Sequence, residues 1–161
     1  MKKIYLLALA VIGFSANSFA QASATATATI ISPISISKTN DLNFGLVASS
    51  TSAGTVVLTP AGARTPTGVT LSSGGTTTAA SFGVSGQGAY TYAITLPSSI
   101  TLTDGTNFMT VNTFTSTPSG TGALSGGTQT VNVGATLNVL ANQVAGVYTT
   151  GTPFVVTVAY N

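Results

Sequence analysis

The sequence predicts an all-β protein, an immunoglobulin-like β-sandwich of about eight to ten short strands. Three observations favour this fold. Apolar residues recur at every second position in several stretches, the residues between them are rich in β-branched Thr and Val, and Gly or Pro separates the stretches. Alternate residues of a strand share one face, so each stretch presents one apolar and one polar face. No segment after residue 20 carries an apolar stripe at helical spacing.

The alternation is clearest near the two ends of the chain. An early stretch places Ala24, Ala26, Ala28 and Ile30 on one face, with threonines between them. The last stretch places Phe154, Val156, Val158 and Tyr160 on one face and forms the predicted closing strand. Further strands are predicted over 90–96, 131–133 and 137–141.

Turn residues divide these stretches. Asp104-Gly105 lies between the apolar segments 100–103 and 108–111, which predicts a hairpin with a short primed turn. Glycines also mark turns or bulges, at positions 74–75, 86–88, 120–122, 126–127, 134 and 146.

Residues 1–20 have the pattern of a secretory signal peptide. Lys2 and Lys3 are followed by the apolar run 4–14 and by a small-x-small cleavage pattern ending at Ala20, with Ala22 as an alternative site. The apolar run is shorter than the roughly 20 residues that span a bilayer. We therefore expect a secreted chain, in the periplasm or at the cell surface of a Gram-negative bacterium, with one domain over 21–161.

The composition argues against most kinds of catalytic, metal-binding and nucleic-acid-binding site. After residue 20 the charged residues are Lys38, Asp41, Arg64 and Asp104, so the net charge of this part is zero. The whole chain has no His, Cys, Glu or Trp. Acid–base catalysis, thiolate attack and most metal ligation depend on such side chains, and nucleic-acid binding needs clustered Lys and Arg. The sequence predicts a non-enzymatic protein without a catalytic residue, metal site or cofactor, and without a nucleic-acid partner.

Three polar motifs have simple structural interpretations. Asp104, Thr106 and Asn107 could hold calcium, but a carboxylate-poor loop of this kind is more typical of a turn. Lys38 and Asp41 are expected to form a weak exposed ion pair. The glycine-rich segment 83–88 lacks the Lys and the following helix of a phosphate-binding loop, so it predicts a strand–turn–strand element.

Tyrosines are the candidate ligand-binding residues. Tyr90 and Tyr148 are candidates for contacting a sugar, whereas Tyr92 and Tyr160 are in phase with apolar neighbours and are expected in the core. Gly146-Val147-Tyr148 alternatively predicts a tyrosine corner, in which the hydroxyl bonds to backbone upstream.

The segment from Ala24 to Ile30 leaves two alternatives open. It is either the first strand of its own sheet or a strand donated to a neighbouring subunit, where main-chain hydrogen bonds give affinity and pockets select alternate side chains. Few charged residues guard the sheet edges, which favours the second alternative.

Several motifs together resemble a bacterial secreted family known as domain of unknown function 4402. They are Leu42–Gly45, Thr55–Pro60, Phe82–Gly86, Tyr90–Pro97, Val133–Leu137 and Gly146–Asn161. The ending is also similar to spore-coat-U and chaperone–usher pilin subunits, which often share the penultimate tyrosine that is Tyr160 here. That resemblance implies an incomplete immunoglobulin-like sandwich, a donor N-terminal segment and a periplasmic chaperone that contacts the closing strand.

The predicted function is that of a fimbria-like or cell-surface structural subunit that assembles by β-strand addition. Its expected partners are copies of itself or related pilin-like subunits, with no integral membrane span. The alternative is a monomeric adhesin or carbohydrate-binding module that uses exposed tyrosines.

Overall fold

The computed structural model describes residues 19–161, so most of the predicted signal peptide lies outside the described residues. Residues 31–161 form one compact unit, and residues 19–30 belong to a separate N-terminal unit. The described part is all-β: it contains no helix, and therefore none that could cross a membrane. The thirteen strands are β1 Ser35–Asn40, β2 Val47–Ala48, β3 Gly54–Leu58, β4 Arg64–Thr67, β5 Thr70–Leu71, β6 Ala80–Ser85, β7 Thr91–Thr95, β8 Ser99–Thr103, β9 Phe108–Thr117, β10 Thr121–Ala123, β11 Thr128–Val139, β12 Thr149–Thr150 and β13 Thr157–Tyr160.

The first layer is an eight-stranded antiparallel sheet built around β11. Its main order is β1-β6-β11-β9-β8-β12, and β3 and β4 extend it from the second half of β11. β6 pairs with Thr128–Val133 and β3 with Ala135–Val139, while β9 pairs with the opposite edge. A Cβ at Gly134 would collide with the carbonyl oxygen of Leu58, so this glycine lets β3 approach where β6 ends.

One face of this sheet is apolar along its whole length. In β11 the residues Val131, Val133, Ala135, Leu137 and Val139 alternate with polar neighbours and are all buried. The neighbouring strands β3, β6, β8 and β9 alternate in the same way. Their apolar residues lie on the same face as those of β11, and Thr, Ser and Asn lie on the other face. The period-2 pattern of the sequence therefore becomes one continuous apolar surface that a second layer must cover.

The second layer consists of two separate sheets. β10-β7-β13 covers the first half of β11, and the short pair β2-β5 covers the second half. The first core cluster joins both layers through Ala80, Phe82, Val84, Tyr92, Ile94, Leu124, Val131, Val133 and Val156. The second core cluster consists of Phe44, Val56, Leu58, Val111, Ala135, Leu137 and Val139. No ladder joins the two covering sheets among residues 19–161, so this layer is interrupted.

Several predictions are confirmed. The described part of the chain is all-β, β7 forms within 90–96, and β8 and β9 form the hairpin predicted on either side of Asp104-Gly105. Its loop is longer than the predicted primed turn, because Thr103 pairs with Phe108 and leaves Asp104–Asn107 between the strands. The immunoglobulin-like strand order stays a prediction.

Other boundaries were predicted wrongly. The strand count exceeds ten because β2, β5 and β12 have only two residues each and carry no alternation to detect. The segments 131–133 and 137–139 belong to one strand that ends at Val139 instead of at residue 141, since Gly134 is a site of close approach rather than a break. The closing strand begins at Thr157 instead of Phe154. No strand forms over Ala24–Ile30 in the structure, so the segment is not the first strand of its own sheet here, and the alternative of a donated strand stays a prediction.

Candidate functional site: an open apolar groove

The four charged side chains of residues 19–161 do not converge on one site. Lys38 and Asp41 form an exposed ion pair with an Nζ to Oδ1 distance of 2.6 Å. Arg64 bonds to backbone carbonyls, and Asp104 lies in the β8–β9 loop. Within the described residues there is no group of three His, Cys, Asp or Glu side chains that could hold a metal. These charges stabilise loops.

Asp104 organises the hairpin loop as a turn residue. Its Oδ1 accepts hydrogen bonds from the backbone N–H of Asn107 at 2.6 Å and of Thr106 at 2.9 Å. The side-chain amide of Asn107 donates to Oδ2 at 2.9 Å. The hydrogen bonds from Asn107 and then Thr106 lower the pKa of the carboxyl group to about 2. The turn interpretation accounts for every one of these contacts.

An open groove of about 830 Å³ lies where the second layer is interrupted. Its floor is the apolar face of the first sheet, and its two rims are the segments 41–49 and 143–150. The floor residues are Ile100 and Leu102 of β8, Met109 and Val111 of β9, and Leu137 and Val139 of β11. Apolar side chains also rise along the rims, including Leu46, Val144 and Val147, which are all exposed. The groove exposes core-type side chains in a contiguous patch.

The first rim owes its shape to the motif Leu42–Gly45. Asn43 and Thr78 exchange backbone hydrogen bonds of 2.8 and 3.0 Å, which tie the rim to the strand entering β6. The Asn43 side chain accepts from the N–H of Gly45 at 2.8 Å and turns the chain. Gly45 has a φ of +71°, and a Cβ there would lie only 2.7 Å from Nη1 of Arg64. The turn therefore requires glycine.

Arg64 holds this rim from β4. Its Nη1 donates to the carbonyl oxygen of Phe44 at 2.8 Å and to that of Leu46 at 3.4 Å. Phe44 itself is buried in the second core cluster. The guanidinium thus satisfies the Phe44 carbonyl, adds a second donor to the Leu46 carbonyl, which already accepts from the N–H of Ser72, and fixes the rim against the sheet.

The second rim contains the predicted tyrosine corner. The hydroxyl of Tyr148 donates to the carbonyl oxygen of Val144, and Nε2 of Gln143 donates to the hydroxyl. The bond to Val144 confirms the corner. Tyr148 is half-buried, and its hydroxyl both donates and accepts a hydrogen bond. The Oε1 of Gln143 is buried and has no hydrogen-bond partner within the described residues.

Hydrogen bonds join the two rims at one end of the groove. The N–H of Asn142 donates to the carbonyl of Ser50 at 2.8 Å, and Oγ of Ser49 donates to the carbonyl of Gln143 at 3.0 Å. Beyond this junction the rims separate over the apolar floor. The groove is therefore bounded by the two rims and by their hydrogen-bonded junction at one end.

The predicted closing-strand residues share one packing environment. All four pack in or against the first core cluster, and Phe154 also lines the groove. The hydroxyl of Tyr160 donates to the carbonyl of Ser32 at 3.0 Å and accepts from the N–H of Gln87. Tyr160 thus fastens the beginning of the compact unit to the turn after β6.

The remaining tyrosines have separate structural roles. Tyr92 is fully buried as predicted, its hydroxyl donates to Oε1 of Gln129 at 2.7 Å, and burial raises its pKa. Tyr90 is exposed at 45% and packs edge-on against Tyr160, with ring centroids 5.7 Å apart. Since Tyr148 belongs to the groove rim, the sugar-binding hypothesis for Tyr90 and Tyr148 gains no support and stays a prediction.

The sequence did not identify the groove floor. Ile100, Leu102 and Met109 alternate like any core residues, and they remain only half-buried because no strand covers them. The sequence did show that these apolar residues share one face of each of the two predicted strands. This pattern could be interpreted only after the pairing of β8 and β9 with β11 was known.

A comparison with protein-family models gives one match. The family described as Domain of unknown function (DUF4402) matches residues 34–160. The chain belongs to this family. The DUF4402 match spans all thirteen strands and every residue that lines the groove, and it confirms the family resemblance predicted from the motifs. No curated protein and no solved structure matches the chain, and the resemblance to pilin subunits stays a prediction.

Proposed function

We propose that this DUF4402 chain is a non-enzymatic structural subunit that assembles by β-strand addition, with the groove as the acceptor site. The observation that carries this proposal is the mismatch between the two layers. The first sheet presents a continuous apolar face, whereas the second layer covers it with two sheets separated by a gap. An added strand would fill that gap and complete the layer.

The backbone beside the groove supports an added strand. Each of the rims contains a two-residue strand with one paired edge: β2 pairs with β5, and β12 pairs with β8. No ladder occupies their other edges within residues 31–161. Unpaired N–H and C=O groups along strand edges are the main-chain component of strand-addition sites.

The side chains of the groove supply the apolar component. An extended peptide places alternate side chains toward the floor, where half-buried Ile100, Leu102 and Met109 would lose their remaining contact with water. Burial of that surface stabilises the complex by about 25 cal/mol per Å². The same groove has Asp41 as its one ionisable carboxylate and contains no nucleophile–base pair, which favours binding over catalysis.

The proposed setting is outside the cytoplasm. The leader-like residues 1–20 are typical of export, and the assembly would be a fimbria-like or cell-surface structure. A periplasmic chaperone that supplied a temporary strand to the groove would keep the subunit soluble until it met its partner.

A matched pair of rim variants tests the proposal. Val144 lines the groove and is 54% exposed, whereas Leu140 lies outside its lining and is 59% exposed. Val144→Asp places a charge where the added strand must pack, so we expect assembly, measured by light scattering, to fall about tenfold or more. Leu140→Asp is expected to assemble normally. Equal assembly of both variants and the natural chain would refute the acceptor role of the groove.

A further inference from the structure

We infer that the strand that fills the groove is the segment 24–30 of a second copy of this chain. This inference rests on the proposed function and adds the identity of the partner. The segment has no helix or strand in the structure, and no ladder of the described residues includes it. Among the described residues no hydrogen bond involves its backbone, so these donors and acceptors can pair with a partner.

The segment has the alternation that the groove requires. Ala24, Ala26, Ala28 and Ile30 share one face of an extended strand, and Thr25, Thr27 and Thr29 share the other. An added strand in this phase would place its apolar face on the floor and its threonines toward solvent. The same division, apolar inside and Thr outside, runs through the first sheet of the domain.

The buried part of the groove floor favours small side chains. Val111, Leu137 and Val139 of the floor are at most 4% exposed, because neighbouring side chains already cover them. Large side chains inserted there would overpack the core, which typically costs about 1–3 kcal/mol. Alanines can lie over these covered residues without displacing them, and Ile30 is the one large apolar residue of the segment.

Electrostatics also suit a copy of the same chain. No charged residue occurs between Gln21 and Ser37, and the groove lining has one carboxylate, Asp41. The contact therefore buries neither an unpaired charge nor a pair of like charges. Strand and groove are different parts of one chain, so successive copies would add head to tail and form an open filament.

Cysteine cross-linking between two different variants tests the identity of the partner. The natural chain has no Cys, so each variant carries a single thiol. Both variants are expressed from the whole sequence and exported. One carries Ala26→Cys or Ala28→Cys, and the other carries Leu46→Cys or Val144→Cys on a groove rim. Mixing them under oxidising conditions can produce a disulfide heterodimer only between two molecules. Val57→Cys, on the opposite face of β3 from the core, is the matched acceptor control.

We expect a heterodimer between the segment and at least one rim position, and none with Val57→Cys. Assembly that is blocked by Val144→Asp but gives no cross-link from the segment to either rim would overturn this inference, because another strand would then fill the groove. Equal cross-linking to the rims and to Val57→Cys would overturn it as well. Failure of the proposed function would give a different result, because assembly would then be unaffected by Val144→Asp.

Discussion

The hydroxyl of Tyr148 donates a hydrogen bond of 2.8 Å to the carbonyl oxygen of Val144, four residues earlier. The same hydroxyl accepts a hydrogen bond of 2.9 Å from Nε2 of Gln143. All three residues line the groove, so one phenol fixes the shape of the second rim. A corner that is usually regarded as a fold signature here also shapes the proposed acceptor site.

Tyr148→Phe is expected to lower the free energy of unfolding by about 1 kcal/mol or somewhat more, because it removes two hydrogen bonds. Urea titration followed by circular dichroism measures the change. Tyr90→Phe is the control, since its hydroxyl makes no hydrogen bond within the described residues, and it should change stability by less than about 0.5 kcal/mol. The same loss in both variants would contradict the role of the corner.

Arg64→Met is expected to lower the free energy of unfolding by about 2 kcal/mol, because a hydrogen bond from a charged donor contributes about 1.5–3 kcal/mol and the carbonyl of Phe44 would lose its partner. Lys38→Met removes the exposed pair with Asp41 and should cost less than about 1 kcal/mol. Thermal and urea unfolding of the two variants provide the comparison. A larger loss for the Lys38 variant would show that the rim does not depend on Arg64.

Asp104 predicts a loss of stability in acid. Its folded-state pKa of about 2 lies below the ordinary value of 3.8, so its contribution is present above pH 4 and disappears as the pH falls from 4 toward 2. Urea midpoints measured between pH 5 and pH 2 should therefore fall less steeply for Asp104→Asn than for the natural chain. Asp41→Asn leaves the β8–β9 loop intact and should retain the steeper fall. Identical pH profiles for the natural chain and the Asp104 variant would contradict this account.

Substitution of two adjacent residues tests which face of the N-terminal segment enters the groove. Ala26→Asp places a carboxylate on the face proposed to enter the groove, whereas Thr27→Asp places it on the outward face. Assembly measured by light scattering should fall about tenfold or more for Ala26→Asp and change little for Thr27→Asp. Both variants keep the same charge, so a general effect of charge would reduce assembly equally and contradict the proposed phase.

Local chemistry explains what the sequence predicted well. The β8–β9 hairpin depends on Asp104-Gly105 and on two flanking apolar runs, and the corner depends on the spacing of Tyr148 from Val144. The burial of Tyr92 follows from its phase within β7. Each of these features is determined by residues a few positions apart, which a single sequence displays directly.

The groove could not be predicted because it depends on contacts between distant segments. Its junction joins Ser49 to Gln143, 94 residues apart, and its floor needs the register of β8, β9 and β11. Gly134 illustrates the same difficulty: its turn-like identity predicts a break, whereas the approach of Leu58 from β3 explains it. Strands of two residues, such as β2, carry too little alternation to be recognised from the sequence.

Hydrogen–deuterium exchange on separated assembled and monomeric fractions tests the central claim most directly. The account predicts that the backbone amides of residues 24–30 exchange rapidly in the monomer and slowly in the assembly, together with slower exchange along the rims 41–49 and 143–150. Equally rapid exchange of the segment and of both rims in the two fractions would contradict β-strand addition at this groove.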